Sequence, residues 1–248
     1  MIIHDDAWRQ MEVSMSQFAD VSGRAGQTVG RIAATMPGAA GVFQDHGVDF
    51  CCGGEQTLAD AAAKRARDVD ALSGELAAAG PAGDAQEFAD DVPSAQLIEH
   101  IKTRYHAVHL QELAWLTLVA GKVEAAHRHN AVVPAGLGDL LARLRAEMIL
   151  HQKREEVVLF PMMLAGGGPM IAAAIATMRA EHDDHGASLA AIDRLTHGRT
   201  APDDACATWR ALCAGLTKFH NDLVMHVHLE NNVLFPRFAN TSAADARA

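Results

Sequence analysis

The segment His151-Gln-Lys-Arg-Glu155-Glu-Val-Val-Leu-Phe-Pro161 recurs 75 residues later as His226-Val-His-Leu-Glu230-Asn-Asn-Val-Leu-Phe-Pro236, so both copies read H-x3-E-x2-V-L-F-P. On a helix, a spacing of four sets the His and Glu of each copy on one face, a turn apart. The flanking apolar residues say which face that is. Leu141, Leu144, Met148, His151, Glu155, Val158 and Met162 recur at steps of three and four, as do Leu212, Leu216, Phe219, Leu223, His226, Glu230 and Val233. Both His–Glu pairs therefore belong to the stripe expected to face a core. An ionised carboxylate in a helical core costs several kcal/mol unless a partner compensates it, and no Arg or Lys shares these stripes. A bound cation is the compensation that the pattern implies.

Working outward, Ile171, Ile175, Met178, His182, His185, Leu189 and Ile192 form a third stripe and bring His182 into the same seam. A fourth segment carries Arg104-Tyr-His106-Ala-Val-His109 among Ile98, Leu113 and Leu116; its stripe is broader, so either histidine fits the inward face. His106 lies 45 residues before His151, and His182 lies 44 before His226. The chain thus reads as two copies of a helical hairpin, each with one His on its first helix and His-x3-Glu on its second. The candidate metal ligands are His106, His151, Glu155, His182, His226 and Glu230. Mixed imidazole and carboxylate donors disfavour a soft thiolate site, and Mg and Ca prefer oxygen, which leaves iron, manganese or zinc. Two carboxylates able to bridge suit a dinuclear centre.

Helical periodicity extends over 94–128, 138–164, 169–197 and 203–239, separated by short Gly- and Pro-bearing breaks. An all-α, four-helix bundle over 94–240 is the expected architecture. Shorter helices over 28–35, 38–46, 57–66 and 69–79 predict a small helical domain at 28–80, and GPAGDAQEFADDVPS marks a linker at 81–93. Residues 1–27 read as a flexible extension and 241–248 as a tail.

Composition closes off several classes. Lys and Arg total 21 against 31 Asp and Glu, a net charge of −10 that argues against a nucleic-acid partner. The first residues lack a basic signal-peptide start, and no apolar run reaches the roughly 18 residues of a membrane span. Four cysteines are too few for a disulfide scaffold, so a reducing cytoplasm is the expected compartment. Of 14 histidines, 12 lie from His100 onward. A continuous helix sets His127 about 31 Å from His106, so His127 and His129 are expected at the surface. His109, His185, His220 and His228 are expected in the core or supporting the ligands, and Cys206 and Cys213 as small core residues. Cys51 and Cys52, in Gly47-Val-Asp-Phe-Cys-Cys-Gly-Gly54, are the candidate reactive pair: the start of the helix capped by Thr57 would lower a thiol pKa and favour thiolate chemistry or metal capture.

Asp49-Phe-Cys-Cys-Gly-Gly-x-x-Thr-Leu58, followed by Arg104-Tyr-His106, His151-x3-Glu155, Glu181-His182-Asp183 and His226-x3-Glu230-Asn-Asn-Val-Leu-Phe-Pro236, resembles the RIC family, the di-iron proteins for repair of iron centres, over roughly 28–240. The bundle half alone resembles a hemerythrin-like domain. The resemblance implies two iron ions in a non-haem, carboxylate-bridged centre, with His106, His151, His182 and His226 as terminal ligands and Glu155 and Glu230 as bridges. It also implies damaged iron–sulfur proteins as partners, nitric oxide or O2 as small ligands, no membrane, and an assembly compatible with a homodimer. Three mechanisms remain open: donation of iron to a damaged cluster with Cys51 and Cys52 taking part, turnover of nitric oxide at the metal site, and sensing of O2 or nitric oxide without repair.

Overall fold

The structure is a computed structural model that describes residues 23–36, 38–79 and 92–239. Two compact units divide the chain at Asp91 and Val92. The expected tail at 241–248, most of the extension and most of the linker lie outside the described residues.

In the first unit, α1 (Val29–Thr35), α2 (Ala39–Asp45), α3 (Leu58–Lys64) and α4 (Val69–Ala78) enclose Ile32, Phe43, Phe50, Leu58, Leu72 and Leu76. Each of three helices starts on a side chain that accepts an otherwise unpaired backbone N–H: Thr28 from Arg31, Thr57 from Asp60, and Asp68 from Asp70 and Ala71. The Val29 N–H donates to the Gln56 carbonyl and the Leu58 N–H to the Gln27 carbonyl, so the loop after Cys51 and Cys52 is strapped to the start of α1. Arg24, in the stretch read as an extension, is buried and donates to the Ser73 carbonyl at 2.9 Å.

The second unit is a bundle of four helices. The first, α5, starts as Ser94–His100, passes through a π-helical turn at Ile101–His106 and continues as Ala107–Ala126. The second, α6, runs Leu137–Arg154, then a π turn at Glu155–Leu159, then Phe160–Leu164. The uninterrupted α7 spans Ile171–Leu195, while α8 runs Ala207–His228, a π turn at Leu229–Leu234, and Pro236–Ala239. α5 packs against α6 and α8, and α7 against α6 and the end of α8.

The π turns are absent from the sequence reading, and they correct it. The Phe160 N–H donates to the Glu155 carbonyl and the Phe235 N–H to the Glu230 carbonyl, each five residues back rather than four. Both wide turns stand just before a proline, whose ring crowds the carbonyl four residues back and offers no N–H. One extra residue in the turn moves everything after it by one place on the helix face. Val158, expected inward, is therefore 50 % exposed, whereas Leu159 and Met163 are each 2 % exposed. On α8, Leu234 joins Val233 in the core for the same reason.

A polar clamp joins α5 to α8 beside the core. Arg104 donates two hydrogen bonds to the carboxylate of Asp222 at 3.0 and 3.1 Å, and Lys218 adds a third at 2.7 Å. Burial would raise the Asp222 carboxyl, but Arg104 and Lys218 outweigh it and hold the group below its ordinary value.

Two stability predictions follow from this geometry. Leu159→Ala should cost about 2–5 kcal/mol in urea unfolding and Val158→Ala no more than about 0.5 kcal/mol, the reverse of what an unbroken α-helix requires. Because the Asp222 carboxyl is depressed in the fold, its contribution is complete above the unfolded value near 4 and is lost as the pH falls below it. Asp222→Asn should therefore destabilise by about 1–3 kcal/mol at pH 7 and by progressively less in acid, read from urea midpoints across pH.

Candidate metal centre

His106 on α5, His151 and Glu155 on α6, His182 on α7, and His226 and Glu230 on α8 meet midway along the bundle, none more than 2 % exposed. Both His106 and His109 face inward, but only His106 joins this group. The Nε2 atoms of His106 and His226 stand 3.2 Å apart, as do those of His151 and His182. The two carboxylates lie between the two imidazole pairs. Glu155 sets Oε2 3.4 Å from His106 and Oε1 3.3 Å from His151; Glu230 sets Oε1 3.2 Å from His226 and Oε2 3.1 Å from His182. Each carboxylate thus offers one oxygen to each pair, giving two groups of four donor atoms within 4.8 Å of one another. Donors that share one ion stand about this close, because metal bonds to imidazole nitrogen run near 2.1 Å.

All four oxygens of Glu155 and Glu230 are buried and accept no hydrogen bond. Among the described residues, only imidazoles form ion pairs with them. Unsatisfied buried carboxylate oxygens are rare and costly, whereas a cation between the two pairs would satisfy all four at once, so the donor set fits a metal pair. Burial would raise the Glu230 carboxyl, yet His226, His106 and His182 hold it well below the ordinary range, as a carboxylate. At His106, His151, His185 and His226 burial lowers the imidazole and the buried carboxylates raise it. Burial prevails at His226 and His185, which fall to about 3, while Glu155 and its neighbours prevail at His151, which rises to about 9. A cation would take over the charge role of such protons and release them.

Outside the donor cluster, three of the four other ring nitrogens find acceptors. His106 Nδ1 lies 2.7 Å from Glu156, His151 Nδ1 2.7 Å from Glu181, and His182 Nδ1 2.9 Å from Asn231. Such bonds fix the tautomer that leaves Nε2 free to bind a metal. The sequence reading gave Glu156, Glu181 and Asn231 no role. Their signal was present: Glu156 and Asn231 each follow a bridging-candidate Glu directly, and Glu181 directly precedes His182. Phe160 stacks on His106 and Phe235 on His182, both at 5.9 Å. On one side a polar cleft of about 450 Å³, lined by Glu147, Arg154, Glu181, Asp184 and His185, reaches His151.

The remaining candidates fall elsewhere. His109, His185 and His228 are buried, His220 is half-buried, and His129 is exposed. Cys213 is buried as expected, but Cys206 is not a core residue. It stands exposed at the N-terminus of α8, 3.3 Å from His127 Nε2, and the hydrogen bond from His127 and the first backbone N–H groups of the helix bring its thiol down to about 7. His127 is half-buried against Trp209 rather than free at the surface.

In the first unit, Cys51 and Cys52 are half-buried free thiols with sulfurs 3.8 Å apart. Asp49 Oδ1 accepts the Cys52 N–H at 3.0 Å and the Cys51 thiol at 3.5 Å, and the three residues form a third group of potential ligands. The expected lowering of the thiol pKa does not hold for Cys51. Its hydrogen bond with Cys52, its burial and the adjacent Asp49 charge push it up. Gly53 is required beside them, since a Cβ there would sit 2.9 Å from the Asp49 carbonyl and closer still to the Gln56 amide. A cleft of about 380 Å³ opens on Cys52, with Lys64 and Arg65 in its wall.

Residues 96–238 match the family described as hemerythrin HHE cation binding domain, and residues 25–80 match a domain of unknown function, DUF542. The chain is 43 % identical over 211 residues to the iron-sulfur cluster repair protein YtfE of Cronobacter sakazakii, covering 85 % of this chain and 95 % of that one. It belongs to the YtfE family. YtfE proteins of Dickeya chrysanthemi and Pectobacterium carotovorum are 42 % and 43 % identical, each over 85 % of this chain and 96 % of their own length. The resemblance seen in the motifs thus extends over both units. Among the described residues no helix is long and apolar enough to cross a membrane.

A chain carrying Glu155→Ala and Glu230→Ala together should keep its helical circular dichroism and bind no metal after loading and desalting. Full metal content by plasma mass spectrometry in that variant would overturn the assignment.

Proposed function

We propose that this chain is a cytoplasmic iron–sulfur cluster repair protein that works from a carboxylate-bridged, non-haem di-iron centre. The observation that carries the reading is the set of four buried carboxylate oxygens without hydrogen-bond partners, divided between two imidazole pairs. His106 and His226 would hold one iron and His151 and His182 the other, with Glu155 and Glu230 each offering a carboxylate oxygen to both. Relatives named iron-sulfur cluster repair protein, 42–43 % identical over most of their length, support repair as the biological role. When bound, the iron pair supplies a store of transferable metal and open coordination for nitric oxide or O2.

The chain's own residues set how that store is kept. Glu156, Glu181 and Asn231 hold three imidazoles in the binding tautomer. Phe160 and Phe235 close the outer sides of His106 and His182 against water. Asp49, Cys51 and Cys52 offer a carboxylate and two thiols, a softer donor set suited to receiving iron on its way to a damaged cluster. The raised thiol of Cys51 fits that role, because such a site stays protonated and unreactive until a cation displaces the proton.

The test is anaerobic. The protein as isolated should carry two irons per chain, and the reduced form mixed with a thiol-reduced apo-ferredoxin and inorganic sulfide should rebuild its cluster while losing iron. A Cys51→Ala, Cys52→Ala double variant should retain its bundle iron but transfer it at least about tenfold more slowly; unchanged transfer would remove the thiols from the pathway. Stopped-flow mixing with nitric oxide separates the other readings: catalytic consumption without iron transfer makes the protein an enzyme of nitric oxide, and a stable adduct without transfer makes it a sensor.

A further inference from the structure

The two halves of the bundle are related by an offset of 75 or 76 residues, which pairs His106 with His182, His151 with His226, and Glu155 with Glu230. The same offset pairs the surrounding residues, and there the halves differ. Glu181 supports His151; its counterpart is Tyr105, which faces His226 with its ring rather than with an acceptor. The two rings are parallel within 6° at 5.4 Å. His226 Nδ1 is buried with no hydrogen-bond partner, and it is the sole ligand-candidate imidazole left in that state.

A neutral imidazole that binds a cation through Nε2 carries its proton on Nδ1. At His106, His151 and His182 that N–H meets an oxygen. At His226 it meets none, so binding there forces an unsatisfied buried donor and leaves the ring less basic. The position formed by His151 and His182 has both imidazoles supported, one by a carboxylate and one by an amide. The position formed by His106 and His226 has one.

We propose that the two metal positions are unequal, and that the one completed by His106 and His226, where Tyr105 stands in the place that Glu181 takes beside His151, binds iron more weakly and gives it up first. The inference rests on the di-iron reading and deepens it: one iron is the transferable one and the other is retained. Its readout is equilibrium affinity rather than release rate, because the polar cleft reaches His151 and a rate would also reflect access.

The experiment titrates the anaerobic, fully loaded Fe(II) protein with a chromophoric iron chelator, measuring iron removed at equilibrium. Two steps of one iron each are expected, separated by at least about tenfold in chelator concentration, the scale on which loss of such a support acts. Glu156→Ala, which strips the support from His106, should move the first step to lower chelator and leave the second in place. Glu181→Ala, which strips it from His151, should move the second toward the first. Circular dichroism confirms that both variants are folded, and Glu181→Gln, which keeps an acceptor, should restore much of the separation. Two irons leaving the wild-type protein in one step would overturn the inference alone. So would a Glu181→Ala variant whose first step moves while its second does not. A wild-type chain that never holds two irons would overturn the di-iron reading itself.

Discussion

Two carboxylates buried side by side in a helical core are the constraint around which the bundle is organised. Water is excluded from Glu155 and Glu230, and among the described residues imidazoles are the only charged or chargeable groups that pair with them. Such a cluster is a poor source of stability by itself, since replacing it with apolar residues would remove a desolvation cost of several kcal/mol per ion. Its retention makes sense as a binding site kept ready. The apolar stripes of α6, α7 and α8 and the clamp from Arg104 to Asp222 hold six donor groups together that would otherwise repel or seek solvent.

Much of this was legible in the sequence because buried ligands must obey the same periodicity as the core. The stripe from Ile171 to Ile192 matches the buried residues of α7 one for one, and both repeats placed their His and Glu inward. The helical stripe alone did not separate His106 from His109, since both are buried; the matching 45- and 44-residue spacings of the two hairpins pointed to His106, which is the one that joins the cluster. The misplacement of Val158 was not legible: periodicity assumes a fixed turn, and the bonds from Phe160 and Phe235 reach one residue farther. Cys206 escaped for another reason. A cysteine seven residues before Cys213 reads as part of the same face, but Cys206 is the residue just ahead of the helix rather than a member of it.

The vicinal cysteines show how a correct local argument is outweighed. A helix start nearby favours thiolate, and α3 does begin shortly after the pair. The Asp49 carboxylate and the second sulfur lie closer, however, and both oppose a negative charge on Cys51. Proximity decides because electrostatic effects of a helix end fade within about one turn, whereas a carboxylate in hydrogen-bond contact acts at full strength.

The wide turns at Glu155–Leu159 and Glu230–Leu234 also bear on how such a bundle tolerates change over time. Each is a spare residue stored in a helix, and losing one would restore ordinary winding while rotating the remainder by about 100°. Phe160 and Phe235, now laid over His106 and His182, would swing off them although every letter of both motifs beyond the gap stayed intact. Lineages of this fold are therefore free to exchange side chains around the centre but bound to conserve the count of residues that separates each glutamate from the phenylalanine five places on.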